Sequence, residues 1–379
     1  MSARSENAAR EINKINLFFG LMPKLGLRWA QMRPFEGMTI AVNAHLTTLT
    51  ATLIRELTLG GGKWIVSASG SATTDRAVVD LLREQGIPVF SGGGAVDRHM
   101  EVLKHNPDII ADVGFDLIET LINRRPDLTG KVRGAVELTR SGITKLRSLD
   151  TVPLGVININ DGELKPHVEN RHGVGESLWL AVRDETGLHL AGRRVLVVGY
   201  GTVGEGISAY ARAGGAIVQV IDESPVRRLA AHYDGFGVPD MNEALRSAEI
   251  VVTATGCTGA LKVKHLKNIE RDIVLVNAGH GGDEIDIAGL KATASEAVEV
   301  GKNCTRYRLG HGRWISVLGN GFPLNIVTNS GSPEPVLLHF ALLGLTLEWL
   351  AKNSIENGEI QVPKSVEEEV AKLALEVLT

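Results

Sequence analysis

A glycine-rich turn between an apolar run and a helical pattern is the feature that most limits the folds open to this chain. The run VLVV at residues 195–198 leads directly into GYGTVG. In this pattern Gly199 allows the tight turn, Gly201 lets the backbone approach a pyrophosphate, and Gly204 lets helix and strand pack closely. The N-terminus of the following helix offers N–H groups to phosphate. The pattern predicts a dinucleotide-binding β-α-β unit.

An acidic residue in the right place extends this prediction to the type of dinucleotide. Asp222 ends the next predicted strand, 21 residues after Gly201. An acid there accepts hydrogen bonds from the adenosine ribose and repels a 2′-phosphate, so NAD is favoured over NADP. The alternative is a glycine turn that merely packs a helix on a strand. The predicted cofactor-binding residues of this part of the chain are Gly199, Gly201, Thr202, Val203, Gly204, Asp222, Thr255 and Gly256.

Short apolar runs alternate with helical patterns along the first half of the chain. The runs TIAVNAH, KWIVSAS, IPVFSGG, DIIADVG, GAVEL and PLGVINI are typical of strands, and the segments between them have helical periodicity. Such alternation predicts a parallel α/β sheet, and it restarts near residue 178. We therefore predict an α/β protein with a substrate-binding domain (1–177), a Rossmann NAD-binding domain (178–335) and C-terminal helices (336–379) that return to the first domain.

Composition excludes several classes of function. The chain has 379 residues, a net charge of −4 and two cysteines, which gives no basic footprint for nucleic acid and fits a reducing compartment. The N-terminal MSARSENAAREINK lacks the apolar region of a signal peptide. The run VLLHFALLGLTLEWLA is short for a membrane span and is predicted to be a buried helix. We expect a cytoplasmic protein without a membrane partner, and the sequence shows no metal-ligand cluster.

Polar residues follow several predicted strands, at the edge where functional groups of parallel sheets gather. Each has an ordinary structural explanation: His45 as a core histidine, Lys165 and Glu169 as an i,i+4 helix pair, Asn170 as a cap, and His280 as a loop residue. Together they lie where a substrate would meet a nicotinamide ring. A lysine beside an amide and a carboxylate can move a proton from a hydroxyl during hydride transfer.

Five segments, in this order, resemble the S-adenosylhomocysteine hydrolase family over nearly the whole chain. They are NAHLTTLTATLIREL, NINDGELKPHVENRHGVGES, VVGYGTVGEGI, VNAGHGGDEID and GNGFPLNIVTNSGSPEP. The resemblance implies that NAD is held tightly and recycled. The 3′-hydroxyl of the substrate is oxidised, the C4′ proton is removed, the 5′ substituent leaves by elimination, and the hydride finally returns to C3′.

The resemblance also implies roles for individual residues. Lys165 would take the proton of the 3′-hydroxyl with help from Glu169 and from Asn170, which would also bind the substrate. His45 would act near C5′ together with an aspartate. His280 would be a further catalytic residue and would lie, with Asn277, at the nicotinamide and ribose. The other implied contacts are Thr47 with the substrate, Asn160 with sugar and cofactor, and Thr139 and Asn325 with the nicotinamide end of NAD.

Two residues are candidates for the aspartate that would act together with His45. The family's Asp-Asp-Gly-Gly-Asp corresponds to ADVGFDL here, which needs one gap. The resemblance therefore allows Asp112 or Asp116. Asp112 is favoured because it lies nearer the end of the predicted strand.

Other substrate-facing positions depart from the family pattern. The family's ribose-gripping Glu-Glu-Thr-Thr-Thr-Gly reads ELTRSG here, so Leu138 replaces the second glutamate and Arg140 the central threonine. A leucine cannot accept a hydrogen bond from a sugar hydroxyl, but it can pack against a differently substituted sugar. Glu169 stands where the family has aspartate, and Ser332 stands where a family histidine touches the adenine.

A chain that keeps the redox residues and changes the substrate-facing ones is predicted to be a divergent nucleoside lyase or dehydratase. Its product would be a 4′,5′-unsaturated sugar, as in nucleoside-antibiotic pathways such as that of angustmycin. The alternatives are an authentic adenosylhomocysteinase, an NAD-binding pseudoenzyme regulator and a net dehydrogenase that exchanges its NADH with solvent. The expected partner is a small-molecule nucleoside, and the family resemblance implies a homo-oligomer, either a dimer or a tetramer. The exact nucleoside, the leaving group and any re-addition of water stay open.

Overall fold

The computed structural model describes residues 2–70, 73–279, 282–328 and 330–379. The chain divides into two compact units. Unit 1 comprises Met1–Lys165 and Pro333–Thr379, and unit 2 comprises Pro166–Ser332. The chain passes between the units after Lys165 and after Ser332, whereas the sequence-based boundaries are 178 and 335, which stay a prediction.

Unit 1 is built on a seven-stranded sheet whose strand pairs all run parallel. Its strands are β1 (Thr39–Ala44), β2 (Lys63–Ala68), β3 (Val89–Phe90), β4 (Ile109–Asp112), β5 (Gly134–Glu137), β6 (Gly155–Asn158) and β14 (Gly358–Gln361). The strand order β14-β6-β5-β4-β1-β2-β3 is doubly wound. The direction of winding reverses between β1 and β4, and ligands of open α/β sheets bind outside the carboxyl ends of the strands at such a reversal.

The helices of unit 1 bury apolar faces against this sheet and against each other. They are α1 (Ala3–Phe18), α2 (Leu21–Met32), α3 (Thr48–Thr58), α4 (Arg76–Glu84), α5 (Ala95–Leu103), α6 (Asp116–Arg124), α7 (Pro126–Thr129), α8 (Arg140–Arg147), α15 (Glu334–Lys352) and α16 (Lys364–Leu378). A continuous apolar cluster on one side of the sheet includes Ile65, Ile110 and Phe115, which are almost completely buried. Apolar burial of this kind is the main stabilising contribution to such a unit.

The predicted buried helix is confirmed as α15. Its length and hydropathy would suit a membrane span, but 72% of its most apolar window is buried inside the fold. The Trp29 indole N–H donates to Glu348 Oε2 on α15 at 3.0 Å. A Cβ on Gly344 would lie only 2.5 Å from the Trp29 ring, so glycine lets the indole approach the helix backbone.

Unit 2 is built on a second seven-stranded sheet, of order β11-β12-β13-β10-β9-β7-β8. Its strands are β7 (Arg194–Val198), β8 (Ile217–Ile221), β9 (Ile250–Thr253), β10 (Ile273–Asn277), β11 (Glu296–Gly301), β12 (Cys304–Arg308) and β13 (Trp314–Leu318). Its α-helices are α9 (Gly175–Thr186), α10 (Thr202–Ala213), α11 (Pro225–Tyr233), α12 (Met241–Ser247), α13 (Ile287–Thr293) and α14 (Leu324–Thr328). A π-helix, Lys165–Val174, begins at the last residue of unit 1. Two 3₁₀ turns, Val263–Leu266 and Gly319–Gly321, complete the helical segments described for this unit. Strands β8, β7, β9, β10 and β13 pair in parallel. The predicted fold class, with its Rossmann-type second sheet, is therefore confirmed.

Candidate active site and cofactor-binding loop

A row of polar side chains crosses the sheet of unit 1 at the carboxyl ends of its strands. Strand pairing aligns Ser67 with Asn43, Asn43 with Asp112, Asp112 with Glu137, and Glu137 with Asn158. All five side chains are almost completely buried. Buried polar groups need hydrogen-bond partners, so this row is a fixed structural layer beneath the point where the winding of the sheet reverses.

Hydrogen bonds hold Asp112 firmly in this row. Ser67 Oγ donates to Asn43 Oδ1 at 2.8 Å, and Asn43 Nδ2 donates to Asp112 Oδ1 at 2.8 Å. The other carboxyl oxygen of Asp112 accepts from the Ile118 backbone N–H at 2.8 Å. The side chain is 0% exposed, and this favours a supporting role. Asp116, the other candidate for the catalytic aspartate, begins α6 and forms an ion pair with Lys145. The catalytic assignment stays a prediction for both residues.

Glu137 lies beside Asp112 and receives several hydrogen bonds. Its carboxylate accepts from the backbone N–H groups of Gly114, Phe115 and Thr139 at 2.8–3.1 Å and from Thr139 Oγ1 at 2.6 Å. Burial raises the pKa of Glu137 to about 7, although these hydrogen bonds oppose the shift. Burial, together with the charge of Glu137, also raises the pKa of Asp112 well above its usual range. Asp112 and Glu137, which lie side by side on neighbouring strands, therefore favour the protonated form.

The stability of unit 1 is expected to fall as pH rises from about 4.5 to about 7. A carboxyl group whose pKa is raised by folding binds more protons in the folded than in the unfolded state across this window. Each such group therefore costs up to about 1.4 kcal/mol of unfolding free energy per pH unit. Asp112→Asn should flatten this dependence, whereas the exposed Asp150→Asn should not. Urea unfolding followed by circular dichroism at pH 5, 6, 7 and 8 measures the slope; stability that stays constant or rises over this range in the wild type contradicts the prediction.

Two predicted contact residues act as helix caps in the structure. Thr139 caps α8, where its hydroxyl accepts from the Gly142 N–H at 3.1 Å, and Thr47 caps α3 through the Thr50 N–H at 3.4 Å. Such caps satisfy N–H groups that have no hydrogen-bond partner within the helix itself.

Leu138 directly follows β5 and is 6% exposed. The position is therefore apolar and enclosed at the strand edge where the resemblance places a sugar-binding glutamate.

His45 follows β1 at the carboxyl edge of the sheet and is exposed. Its Nδ1 lies 2.6 Å from Thr73 Oγ1 and 2.8 Å from Ser69 Oγ. Thr73 Oγ1 also donates to the Gly70 carbonyl at 3.3 Å. Two hydroxyl groups therefore lie within hydrogen-bonding distance of Nδ1, and together they orient the imidazole of His45.

Asn160 lies in the loop after β6 and is mostly buried. Its Nδ2 donates to Asp161 Oδ1 at 2.7 Å, and its backbone N–H donates to Asn158 Oδ1 at 2.9 Å. Burial alone would raise the pKa of Asp161, but hydrogen bonds from Asn158, Asn160 and Arg147 outweigh it and lower that pKa. Asp161 therefore stays ionised and fixes the amide of Asn160.

The segment with Lys165, Glu169 and Asn170 forms a π-helix, Lys165–Val174. Backbone hydrogen bonds in a π-helix join residues five apart, and such segments are frequent at functional sites. One turn therefore relates Lys165 to Asn170, which differs from the i,i+4 geometry of an ordinary α-helix. Asn170 Nδ2 lies 3.4 Å from Thr202 Oγ1, at the start of α10. The structure thus brings a predicted substrate-binding residue against a predicted cofactor-binding residue.

The glycine-rich turn has the geometry that its sequence predicts. Gly199 has a φ of +102°, which favours glycine. A Cβ on Gly204 would lie 1.9 Å from the Gly199 carbonyl oxygen, so glycine is needed there for packing. At Gly201, by contrast, the nearest atom to a Cβ would be Arg227 Nη1 at 3.8 Å. Internal packing does not demand glycine at this position, and the open space suits a pyrophosphate.

Asp222 closes the same loop from the end of β8. Its two carboxyl oxygens accept from the backbone N–H groups of Tyr200 at 2.7 Å and Ser224 at 2.8 Å. These bonds fix the carboxylate beside the glycine turn. Each oxygen keeps a lone pair, which is what binding a ribose hydroxyl requires.

Glu284 organises the loop after β9, and the sequence reasoning missed it. Its carboxylate accepts from the backbone N–H of Thr255 at 3.0 Å, from Thr255 Oγ1 at 2.8 Å and from the Gly256 N–H at 2.7 Å. Gly279 is pressed against the same carboxyl group, because a Cβ there would lie 1.5 Å from Glu284 Oε1. A single buried carboxylate therefore positions the loop that carries the predicted cofactor-binding residues Thr255 and Gly256.

The predicted residues for the nicotinamide end have different surroundings. Asn277 is buried; its Nδ2 donates to the Gly321 carbonyl at 2.8 Å, and its Oδ1 accepts from Thr253 Oγ1 at 3.1 Å. Asn325 Oδ1 is buried and accepts no hydrogen bond within the described ranges. An orphaned acceptor of this kind suits a ligand amide. Ser332 is exposed, and His280 lies outside the described residues.

These local features together fit NAD. The glycine turn leaves space at Gly201, Asp222 is fixed with acceptor capacity, and Asn325 has an unused buried oxygen. The residues that would hold the dinucleotide are those of the turn, Asp222 and the loop at Thr255. When bound, NAD supplies a hydride acceptor.

Comparisons with known proteins identify the family. A family model described as the S-adenosyl-L-homocysteine hydrolase NAD binding domain matches residues 170–331. The S-inosyl-L-homocysteine hydrolase of Methanopyrus kandleri is 34% identical over 370 residues, covering 94% of this chain and 87% of the relative. The chain belongs to the S-adenosyl-L-homocysteine hydrolase family. The adenosylhomocysteinase of Thermococcus kodakarensis is 32% identical over 378 residues, covering 97% and 90% of the two chains.

Membership of the S-adenosyl-L-homocysteine hydrolase family confirms two predictions. The chain is an enzyme of this family, and NAD is its cofactor. A solved structure with a similar fold is that of a dipicolinate synthase chain from Bacillus halodurans, with a TM-score of 0.54 and 12% identity over 84% of this chain and 100% of that one. This likeness supports the fold alone.

Proposed function

We propose that this enzyme eliminates the 5′ substituent of an adenine nucleoside after transient oxidation at C3′, and that it releases a 4′,5′-unsaturated sugar. The preferred leaving group is water, which makes the net reaction a dehydration. The observation that carries this choice is Leu138. An enclosed leucine stands directly after Glu137 where the family resemblance places a second ribose-binding glutamate.

The residues of unit 1 support an acid–base role near C5′. His45 has its Nδ1 held by Thr73 and Ser69, so its orientation is set before substrate binds. Fixed orientation is what proton transfer to a departing hydroxyl requires. Loss of water needs a proton on the leaving oxygen, because hydroxide is a poor leaving group.

The π-helix supports proton removal at the 3′-hydroxyl. Lys165 begins this segment, and Asn170, one π-turn later, contacts Thr202 of the cofactor loop. Lys165 is proposed to accept the 3′-hydroxyl proton while the hydride leaves C3′. A ketone at C3′ then acidifies C4′–H, and loss of that proton expels the 5′ substituent. Return of the hydride and a proton to C3′ makes the net change the loss of one water.

A substrate panel analysed by mass spectrometry tests the proposal. The purified protein is incubated with adenosine, psicofuranosyl adenine, S-adenosylhomocysteine and S-inosylhomocysteine. We expect a nucleoside product lighter by one water, with both thioethers unchanged. Release of homocysteine as the main reaction would overturn the dehydration.

Hydrolysis of a homocysteine thioether is the second candidate, and the names of the relatives favour it. One relative is an S-inosyl-L-homocysteine hydrolase and others are adenosylhomocysteinases. The same panel distinguishes them, since hydrolysis gives homocysteine with adenosine or inosine. Leu138→Glu provides a further comparison: the variant is expected to gain thioether hydrolysis if Leu138 excludes the family substrate.

A further inference from the structure

Arg227 lies beside both Asp222 and Gly201, the two positions that would border the ribose and the pyrophosphate of NAD. It belongs to the first turn of α11, directly after β8, and its side chain is 58% exposed. Its Nη1 is 3.7 Å from Asp222 Oδ2 and 3.8 Å from the position that a Cβ on Gly201 would occupy. One guanidinium group therefore borders the place for the adenosine ribose and the place for the pyrophosphate.

The ion pair with Asp222 does not use the hydrogen-bond donors of the Arg227 guanidinium. A separation of 3.7 Å is too long for a hydrogen bond, and an ion pair with a partner this exposed contributes only about 0–1 kcal/mol. Asp222 takes its own hydrogen bonds from the backbone at Tyr200 and Ser224. Within the described residues the Arg227 guanidinium donates no hydrogen bond, so its donors remain for a ligand.

The charges at this point of a Rossmann fold decide between the two dinucleotides. An acid binds the ribose 2′-hydroxyl of NAD and repels the 2′-phosphate of NADP, whereas an arginine nearby accommodates that phosphate. Guanidinium groups match phosphate through paired donors. With Arg227 beside Asp222, a positive charge borders the carboxylate that would repel a 2′-phosphate.

We propose that Arg227 contacts the adenosine half of the bound dinucleotide. Asp222 alone would strongly favour NAD over NADP, and Arg227 makes that preference smaller. The role belongs to the cofactor site and does not depend on which nucleoside is the substrate. Arg227 is thus a specificity residue for the cofactor.

Binding measurements on the full chain test this assignment. After bound nucleotide is removed, titration calorimetry gives the Kd of NAD and of NADP for the wild type and for Arg227→Ala. We expect the Kd of NADP to rise about tenfold more than that of NAD. Arg228→Ala is the matched control, because the neighbouring Arg228 Nη2 donates to the Val238 carbonyl at 3.0 Å. Equal changes for both dinucleotides, or no change, would overturn the proposal.

A second background keeps the test decisive if wild-type NADP binding is too weak to measure. Asp222→Ala removes the repulsion and should bring NADP into a measurable range. Adding Arg227→Ala to this variant is then expected to weaken NADP binding about tenfold and leave NAD binding nearly unchanged. If the double variant binds NADP as tightly as Asp222→Ala, Arg227 does not contact the phosphate and the assignment is wrong. Thermal shifts with each dinucleotide provide an independent readout.

Discussion

Lys165→Ala is expected to lower turnover by about 10²- to 10⁴-fold, the usual range for loss of a positioned acid–base group. NAD affinity should stay unchanged, since Lys165 begins the π-helix and the cofactor loop is held by other residues. The measurement is product formation by mass spectrometry, with the Kd of NAD measured on the same preparation.

Two further variants define the role of Lys165. Lys165→Arg keeps a positive charge but is not expected to restore activity, because a guanidinium does not give up its proton near neutral pH. The exposed Lys372→Ala on α16 should have wild-type activity. If Lys165→Ala keeps more than about a tenth of the turnover, general-base assistance by this residue is refuted.

Alanine at two glycines of the cofactor turn should separate folding from ligand binding. Gly204→Ala is expected to destabilise unit 2 by about 1–3 kcal/mol, because its Cβ would lie 1.9 Å from the Gly199 carbonyl oxygen. Gly201→Ala meets no such clash and should leave the cofactor-free protein as stable as the wild type. It should nevertheless raise the Kd of NAD by about tenfold or more, because the methyl group enters the space for the pyrophosphate.

Thermal unfolding with and without NAD measures both effects. For a unit of this size, 1 kcal/mol corresponds to about 2–4 °C in Tm. We expect Gly204→Ala to melt lower without NAD, and Gly201→Ala to lose only the stabilisation that NAD adds. A lower Tm of cofactor-free Gly201→Ala would show that glycine is needed there for packing alone.

The sequence predicted most strands of both sheets because they are apolar runs bounded by turns. Strands β11, β12 and β13, which form the antiparallel pairs of the second sheet, escaped prediction, and β11 shows why. All six residues of EAVEVG are exposed, so burial imposes no recognisable pattern on this strand. None of the four residues of β14 is buried, and its place beside β6 depends on pairing between distant parts of the chain.

The parts of the site whose residues are close in sequence could be predicted. Hydrogen bonds between residues that are distant in sequence could not. The glycine turn and Asp222 follow a local motif, so their geometry could be anticipated. The hydrogen bonds that Thr255 and Gly256 donate to Glu284 join residues 29 and 28 positions apart, and Asn43 donates to Asp112 on a neighbouring strand. Such contacts depend on strand register, which a single sequence does not specify at this level.

The discontinuous course of unit 1 bears on how the protein is made. The Asn158 amide of β6 donates to Glu359 of β14, 201 residues later, and all of unit 2 lies between them. Contacts at such separation form slowly, and domains tend to fold as units during synthesis. On the ribosome, unit 2 is therefore complete while unit 1 still lacks an edge strand. The nascent chain therefore exposes the open edge of β6 until β14 emerges, and an unpaired strand edge is a template for association with other chains.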